Sequence, residues 1–128
     1  MRNYLLDSDI IIWYLRGRQE IVNIVQDLQR ESVPGCSPLC VMEIQLGVKK
    51  DEEKATNILL DALKEYAVTN EVAKLAASYI RKYKSKGITL DFVDAVVGAT
   101  CVINDLILVT LNVDHYPMPE VKKYFERF

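Results

Sequence analysis

An apolar run with the character of a buried first strand ends in ionisable side chains: Leu5-Leu6-Asp7-Ser8-Asp9-Ile10-Ile11-Ile12. Burying a lone carboxylate costs several kcal/mol or shifts its pKa, so an acid beside a core is usually capped, paired or bound to a cation. A cation site at the end of a strand is therefore the first functional expectation.

Composition narrows the classes. With 128 residues, half of them hydrophobic, the chain suits one α/β domain over residues 1–128 with a real core. Its three cysteines, Cys36, Cys40 and Cys101, form no CxxC pair, and the odd count points to buried thiols in a reducing compartment. The one histidine, His115, excludes a His-rich zinc site and leaves oxygen atoms as the plausible metal ligands. The N-terminus has no basic segment leading into a long apolar one, and no stretch approaches the roughly eighteen apolar residues of a membrane helix. The expected location is the cytoplasm. A net charge of −2 gives no global attraction to nucleic acid, so a polyanion would need local basic patches or bound cations.

Periodicity predicts strands alternating with helices. Residues 3–6 read as a short strand, Asp9–Leu15 as a helix ending near Gly17, and 19–30 as an amphipathic helix with Ile21, Ile24, Val25 and Leu28 on one face. Val33–Cys36 reads as a short strand, and Ser37-Pro38 caps a helix over about 38–49. Residues 51–65 are expected as a helix, 66–69 as a strand, and Asn70 as the cap of a long helix reaching Lys86 and stopped by Gly87. Thr89 or Asp91 opens a helix ending near Asn104, Leu106–Thr110 is the clearest buried parallel strand, and a last short strand lies near Val121–Tyr124. The expected architecture is a three-layer α/β/α sandwich around a parallel sheet of about four to five strands.

Three further polar positions stand out. Glu43 falls on a helix with Leu39, Leu46 and Gly47, too deep for capping, so it is expected in a site. Asp94 opens a helix apolar nearly all round, with Ala95 and Gly98 leaving space beside it, while Asp91 is equally explained as a cap. Asn112, with Asp114 and His115, lies just past the Leu106–Thr110 strand, at the end of the sheet where ligands of open α/β folds bind. If the first and last core strands are neighbours, Asp7, Glu43, Asp94 and Asn112 can converge in one pocket. Such oxygen donors suit Mg²⁺ or a similar hard cation whose shell a phosphate substrate completes, and the cation would activate water for phosphodiester hydrolysis.

Taken together, Tyr4-Leu5-Leu6-Asp7-Ser8-Asp9, Glu43-Ile44-Gln45-Leu46-Gly47, Asp94-Ala95-Val96-Val97-Gly98-Ala99-Thr100 and Leu108-Val109-Thr110-Leu111-Asn112 with His115-Tyr116 resemble PIN-domain ribonucleases of the small VapC-type toxin group, over essentially the whole chain. The resemblance implies a metal-dependent endoribonuclease in which Asp7, Glu43 and Asp94 bind Mg²⁺ or Mn²⁺ and Asn112 takes the fourth position. It also implies an RNA substrate, a protein antitoxin that inserts a basic residue into the site, and a homodimer. Many members carry aspartate where this chain has Asn112, with Asp114 two residues on, and arginine where it has Leu111. Asp9 replaces a small polar residue and is expected to cap the first helix.

Arg16 and Arg18 are expected to lie near the Asp7 strand end and to meet RNA, whereas Lys49-Lys50 and the Arg81–Lys86 cluster read mainly as cationic helix ends. Trp13 is expected in the core, and Trp13-Tyr14 and the 51–65 helix are the alternatives for a contact surface. A haloacid-dehalogenase-type phosphatase with Asp7 as nucleophile is the competing enzyme, but Ile11 stands where it needs a small polar residue. A receiver domain lacks its middle-strand aspartate here. A catalytically silent PIN scaffold binding RNA or protein would have had no reason to keep three acids.

Overall fold

The computed structural model describes residues 2–126. Its strands are β1 (Tyr4–Leu6), β2 (Gly35–Cys36), β3 (Lys64–Glu65), β4 (Ile107–Val109) and β5 (Lys122–Lys123). They form one parallel sheet in the order β3-β2-β1-β4-β5. In register, Tyr4, Leu5 and Leu6 pair with Ile107, Leu108 and Val109, and Leu5 pairs with Gly35 on the other side. Strand order reverses between β1 and β4, so the switch point opens a crevice beyond their carboxyl ends. Asp7 follows β1 there, and Asn112 lies just beyond β4.

Residues 4–6 alternate in direction yet are all at most 1% exposed, because helices cover both faces of the sheet. Those helices are α1 (Ser8–Leu15), α2 (Gln19–Glu31), α3 (Pro38–Gly47), α4 (Glu53–Ala62), α5 (Asn70–Ser85) and α6 (Phe92–Asn104). The result is a three-layer α/β/α sandwich. Among the described residues no helix is long and apolar enough to cross a membrane.

Local signals explain most boundaries. The Ser37 side chain accepts from the Leu39 amide with Pro38 at the first helical position, and Asp91 accepts from the Val93 and Asp94 amides. Gly87 ends the segment after α5 with a φ of +78°, where a side chain would be strained. Thr69 caps α5 by accepting from the Val72 amide, so Asn70 is the first helical residue rather than the cap.

Two expected elements shift. The helix over 51–65 is a 3₁₀ turn (Lys50–Glu52) followed by α4, and the strand expected at 66–69 lies at Lys64–Glu65. Pairing with Gly35 and Cys36 sets that register, and Tyr66 then lies against Gly35 so closely that a Cβ at residue 35 would come within 2.1 Å of its ring. Charged side chains on an edge strand resist unwanted pairing, which makes such a strand look helical in sequence. The three cysteines are free and buried.

Candidate active site

Asp7 follows β1 and caps α1. Its backbone N–H donates to the Val109 carbonyl at 3.0 Å, fixing it beside β4, and Oδ1 accepts from the Ser8 amide at 2.9 Å. The side chain is buried, and Oδ1 also faces the Cys40 thiol of α3 at 3.7 Å. Oδ2 accepts from the Tyr116 hydroxyl at 2.7 Å, and the same hydroxyl lies 3.2 Å from Oδ1 of Asp94 on the first turn of α6. One phenol from the loop after β4 thus joins carboxylates carried by β1 and α6. His115 Nδ1 sits 3.5 Å from the other Asp94 oxygen.

Burial raises the Asp94 pKa to about 6, assisted by repulsion from Asp7 and Asp91 and opposed by His115 and the Tyr116 hydrogen bond. Burial, together with the charges of Asp7 and Asp94, pushes the Tyr116 phenol upward, so it remains a donor. Cys36 hydrogen bonding, burial and Asp7 hold the Cys40 thiol protonated, which suits a weak donor and not a nucleophile.

Asp7, Glu43, Asp94 and Asn112 all line one cleft of about 580 Å³, together with Ser8, Asp91, Asp114 and His115. Glu43 enters it from the middle of α3, where its Oε1 accepts from the Ser8 hydroxyl at 3.1 Å. The face expected to be apolar is exposed: Cys40 and Ile44 pack inward, while Leu46 is 81% exposed. Asn112 reaches the cleft through Asp9. Oδ2 of Asp9 accepts from the Leu111 amide at 2.8 Å and the Asn112 side-chain amide at 3.3 Å. Asp9 therefore ties α1 to the turn after β4, and Asp7 holds the capping role expected of it. Burial and the neighbouring Asp7 raise the Asp9 pKa.

The PIN domain family model matches residues 4–121, which is nearly the whole chain. The chain belongs to the PIN domain family. "Ribonuclease VapC19" of Mycobacterium tuberculosis is 30% identical over 115 residues, covering 89% of this chain and 92% of that protein. "Ribonuclease VapC10" of the same organism is 29% identical over 119 residues, covering 93% and 90%. Among solved structures, a toxin-antitoxin complex from Klebsiella pneumoniae superposes with a TM-score of 0.76 at 26% identity, over 92% of this chain and 94% of that one. VapBC2 from Rickettsia felis, bound to a DNA fragment from its promoter, gives 0.85 at 17% identity over 94% and 96%, a likeness of fold. Family membership displaces the phosphatase and receiver alternatives.

The PIN cleft offers carboxylate and amide oxygens, the donor class preferred by hard divalent cations. Among the described residues no three Asp, Glu, His or Cys side chains are gathered closely enough to enclose a metal ion on their own. Asp7 and Asp94 are held together by Tyr116, while Glu43 stands across the cleft on Ser8. This open donor set fits a cation whose shell is completed by water and substrate oxygens, not a closed structural site.

Arg16 and Arg18 lie at the opposite end of α1 from Asp7, about 12 Å along an eight-residue helix. They stack on the Trp13 ring at 5.5 and 5.1 Å, and Arg18 pairs with Glu20. Trp13 is only partly buried, packed against the core with both guanidinium groups near its ring. Arg16 instead lines a second groove of about 380 Å³ with Ile12, Leu15, Ile44, Val48 and Glu43, so Glu43 faces both hollows. Tyr116 and Ser8 are the contributors that sequence reasoning missed as site residues. Tyr116 carried only a family-motif signal, and Ser8 only its place between two acids.

Proposed function

We propose that this PIN-domain chain, residues 1–128 acting as one nuclease domain, is an endoribonuclease and the toxin of a toxin-antitoxin pair. The observation that carries the proposal is the meeting of Asp7, Glu43, Asp94 and Asn112 in one cleft at the carboxyl end of the sheet. Names of the relatives, both ribonucleases, support the reaction, and the Klebsiella pneumoniae complex supports the pairing.

In this scheme Asp7, Glu43 and Asp94 would be the residues that hold a divalent cation, Mg²⁺ or Mn²⁺. When bound, the cation polarises a phosphoryl oxygen and activates water for in-line attack. Asp7 is oriented by Ser8, Cys40 and Tyr116, so its carboxylate need not reorganise on substrate binding. Asn112 adds an uncharged polar group, which leaves the cleft less negative toward an RNA backbone than an aspartate at that position would. His115, exposed at the rim and close to Asp94, is placed to meet a phosphate or a departing oxygen.

The antitoxin reaches the cleft through the second groove, whose apolar wall of Ile12, Leu15, Ile44 and Val48 receives a side chain and whose acidic end at Glu43 receives a basic one. The protein acts in the cytoplasm, as a homodimer. Incubation of the purified protein with single-stranded and structured RNAs tests the activity. Cleavage in Mg²⁺ or Mn²⁺ that stops with EDTA and with Asp94→Asn is expected. Cleavage by the Asp94→Asn protein, or cleavage in EDTA, would remove the proposed chemistry.

A further inference from the structure

Tyr116 contributes no surface to the acidic cleft, although its hydroxyl touches two carboxylates that do. It is 1% exposed and approaches Asp7 and Asp94 from the core side, whereas solvent, cation and substrate arrive from the cleft. A group in that position cannot compete for the cation, but it can decide how far apart the two carboxylates stand and which oxygens they turn outward. The hydroxyl's single proton is directed at Oδ2 of Asp7 (2.7 Å) and shared, as the longer arm, with Oδ1 of Asp94 (3.2 Å), leaving Oδ2 of Asp94 on the His115 side.

We infer that Tyr116 is a positioning residue for the cation site, clamping Asp7 of β1 to Asp94 of α6 through one shared hydroxyl. This rests on the nuclease proposal above. Three features make the clamp rigid. The ring is buried beside Met118, and Gly98 of α6 leaves the room they occupy, since a Cβ there would stand 2.6 Å from Met118 Cε and 3.6 Å from Tyr116 Cδ1. The backbone before the ring is held by the Tyr116 amide donating to the Val113 carbonyl at 3.1 Å. Asp7 itself is fixed by the Val109 carbonyl and the Ser8 amide. Without the hydroxyl, two neighbouring carboxylates lose the donor between them and separate. Hydrogen-bonding partners behind metal ligands typically change affinity or activity about 10–100-fold when removed.

The test measures Mn²⁺ binding without RNA, by electron paramagnetic resonance of the free ion. Tyr116→Phe keeps the buried ring and removes only the clamp. It should weaken Mn²⁺ binding about 10–100-fold, lower kcat at subsaturating Mn²⁺ with little change in KM for RNA, and regain activity as Mn²⁺ is raised. Tyr79→Phe, a buried phenol on α5, serves as the control and should bind Mn²⁺ like the parent protein. p-Aminophenylalanine at position 116 restores a donor in the same place and should return the affinity to within about threefold, which keeps the test informative even if Tyr116→Phe folds poorly. Unchanged or tighter Mn²⁺ binding by Tyr116→Phe, or failure of the amino analogue to bind better than it, would overturn the clamp. If Asp94→Asn binds Mn²⁺ as well as the parent, the cation site itself is wrong; if Asp94→Asn loses Mn²⁺ and Tyr116→Phe keeps it, the clamp alone fails.

Discussion

Asp9 on α1 and Leu111 beyond β4 are joined by a 2.8 Å hydrogen bond from the Leu111 amide to Oδ2 of Asp9, across 102 residues of sequence. The same oxygen receives the Asn112 side chain, so the turn that carries Asn112 into the cleft is held from the helix opposite. Hydrogen bonds to a carboxylate contribute about 1.5–3 kcal/mol each, and an amide left without its acceptor costs on the same order. Asp9→Ala is therefore expected to lower stability by about 2–3 kcal/mol in urea unfolding and to cut RNA cleavage through misplacement of Asn112. Asp9→Asn, which keeps an acceptor oxygen, should lose no more than about half of that stability. Equal stability of Asp9→Ala and the parent would dismiss the tie.

Glu43 is exposed and accepts one hydrogen bond, from the Ser8 hydroxyl. Glu43→Gln should therefore leave the urea midpoint within experimental error while single-turnover RNA cleavage falls roughly 100-fold or more, because a cation donor in the cleft is lost. Asp7 behaves differently. It is buried and receives Ser8, Cys40 and Tyr116, so Asp7→Asn should abolish cleavage and also cost about 1–3 kcal/mol, since an amide nitrogen turned toward any of those donors leaves it unpaired. A fully stable Asp7→Asn protein would mean that these donors find other acceptors.

Asp94 gives a pH signature. Its pKa near 6 in the folded protein lies above the ordinary aspartate value of 3.8, so between about pH 4 and 6 the folded state binds more protons than the unfolded one. Stability of the cation-free protein should then fall as pH rises through that window and level off above it. The full shift corresponds to about 3 kcal/mol, and solvent access to a side chain that is 20% exposed reduces this. Asp94→Asn removes the ionisation while Oδ1 can still accept from Tyr116. It should be more stable than the parent at pH 7.5 in EDTA, equal to it near pH 4, and inactive at both. Parallel stability curves for the two proteins would place the ionisation of Asp94 outside the folding equilibrium.

Much of this architecture could be read from residue order alone, for identifiable reasons. β4 is legible because Leu108 and Val109 are buried and Ile107 half-buried in the middle of a sheet, where no polar face is needed. Ser37-Pro38 and Asp91 marked helix starts because caps act within three residues. β3 was placed late because Lys64 and Glu65 owe their strand to Gly35 and Cys36, partners almost thirty residues away. In the site, Asp7, Glu43 and Asp94 announced themselves as acids among apolar neighbours. The orientation of α3 did not, since Leu39 and Leu46 suggested an apolar face that the fold leaves open beside Glu43. Tyr116 was hidden for the opposite reason: its ring belongs to the core, and only tertiary contact gives its hydroxyl two carboxylates to bridge. Arg16 and Arg18 were misplaced because the length of α1 carries them away from Asp7.

Cation binding should appear as stability before it appears as catalysis. Asp7 and Asp94 repel each other when ionised, which is part of why the Asp94 pKa is raised, and a divalent cation held by these acids would offset that repulsion. For a cation that binds only the folded state, a concentration about 100 times Kd adds about 2.7 kcal/mol. In a domain of this size that raises Tm by roughly 10 °C. Protons and cation compete for Asp94, so the shift measured with millimolar Mn²⁺ should be large at pH 7.5, shrink at pH 5, and vanish with EDTA. Glu43→Gln should retain part of it and Asp94→Asn little. A Tm that ignores Mn²⁺ at pH 7.5 would mean that the acidic cleft does not gather a cation before substrate arrives, and the RNA phosphate would then have to bring the ion with it.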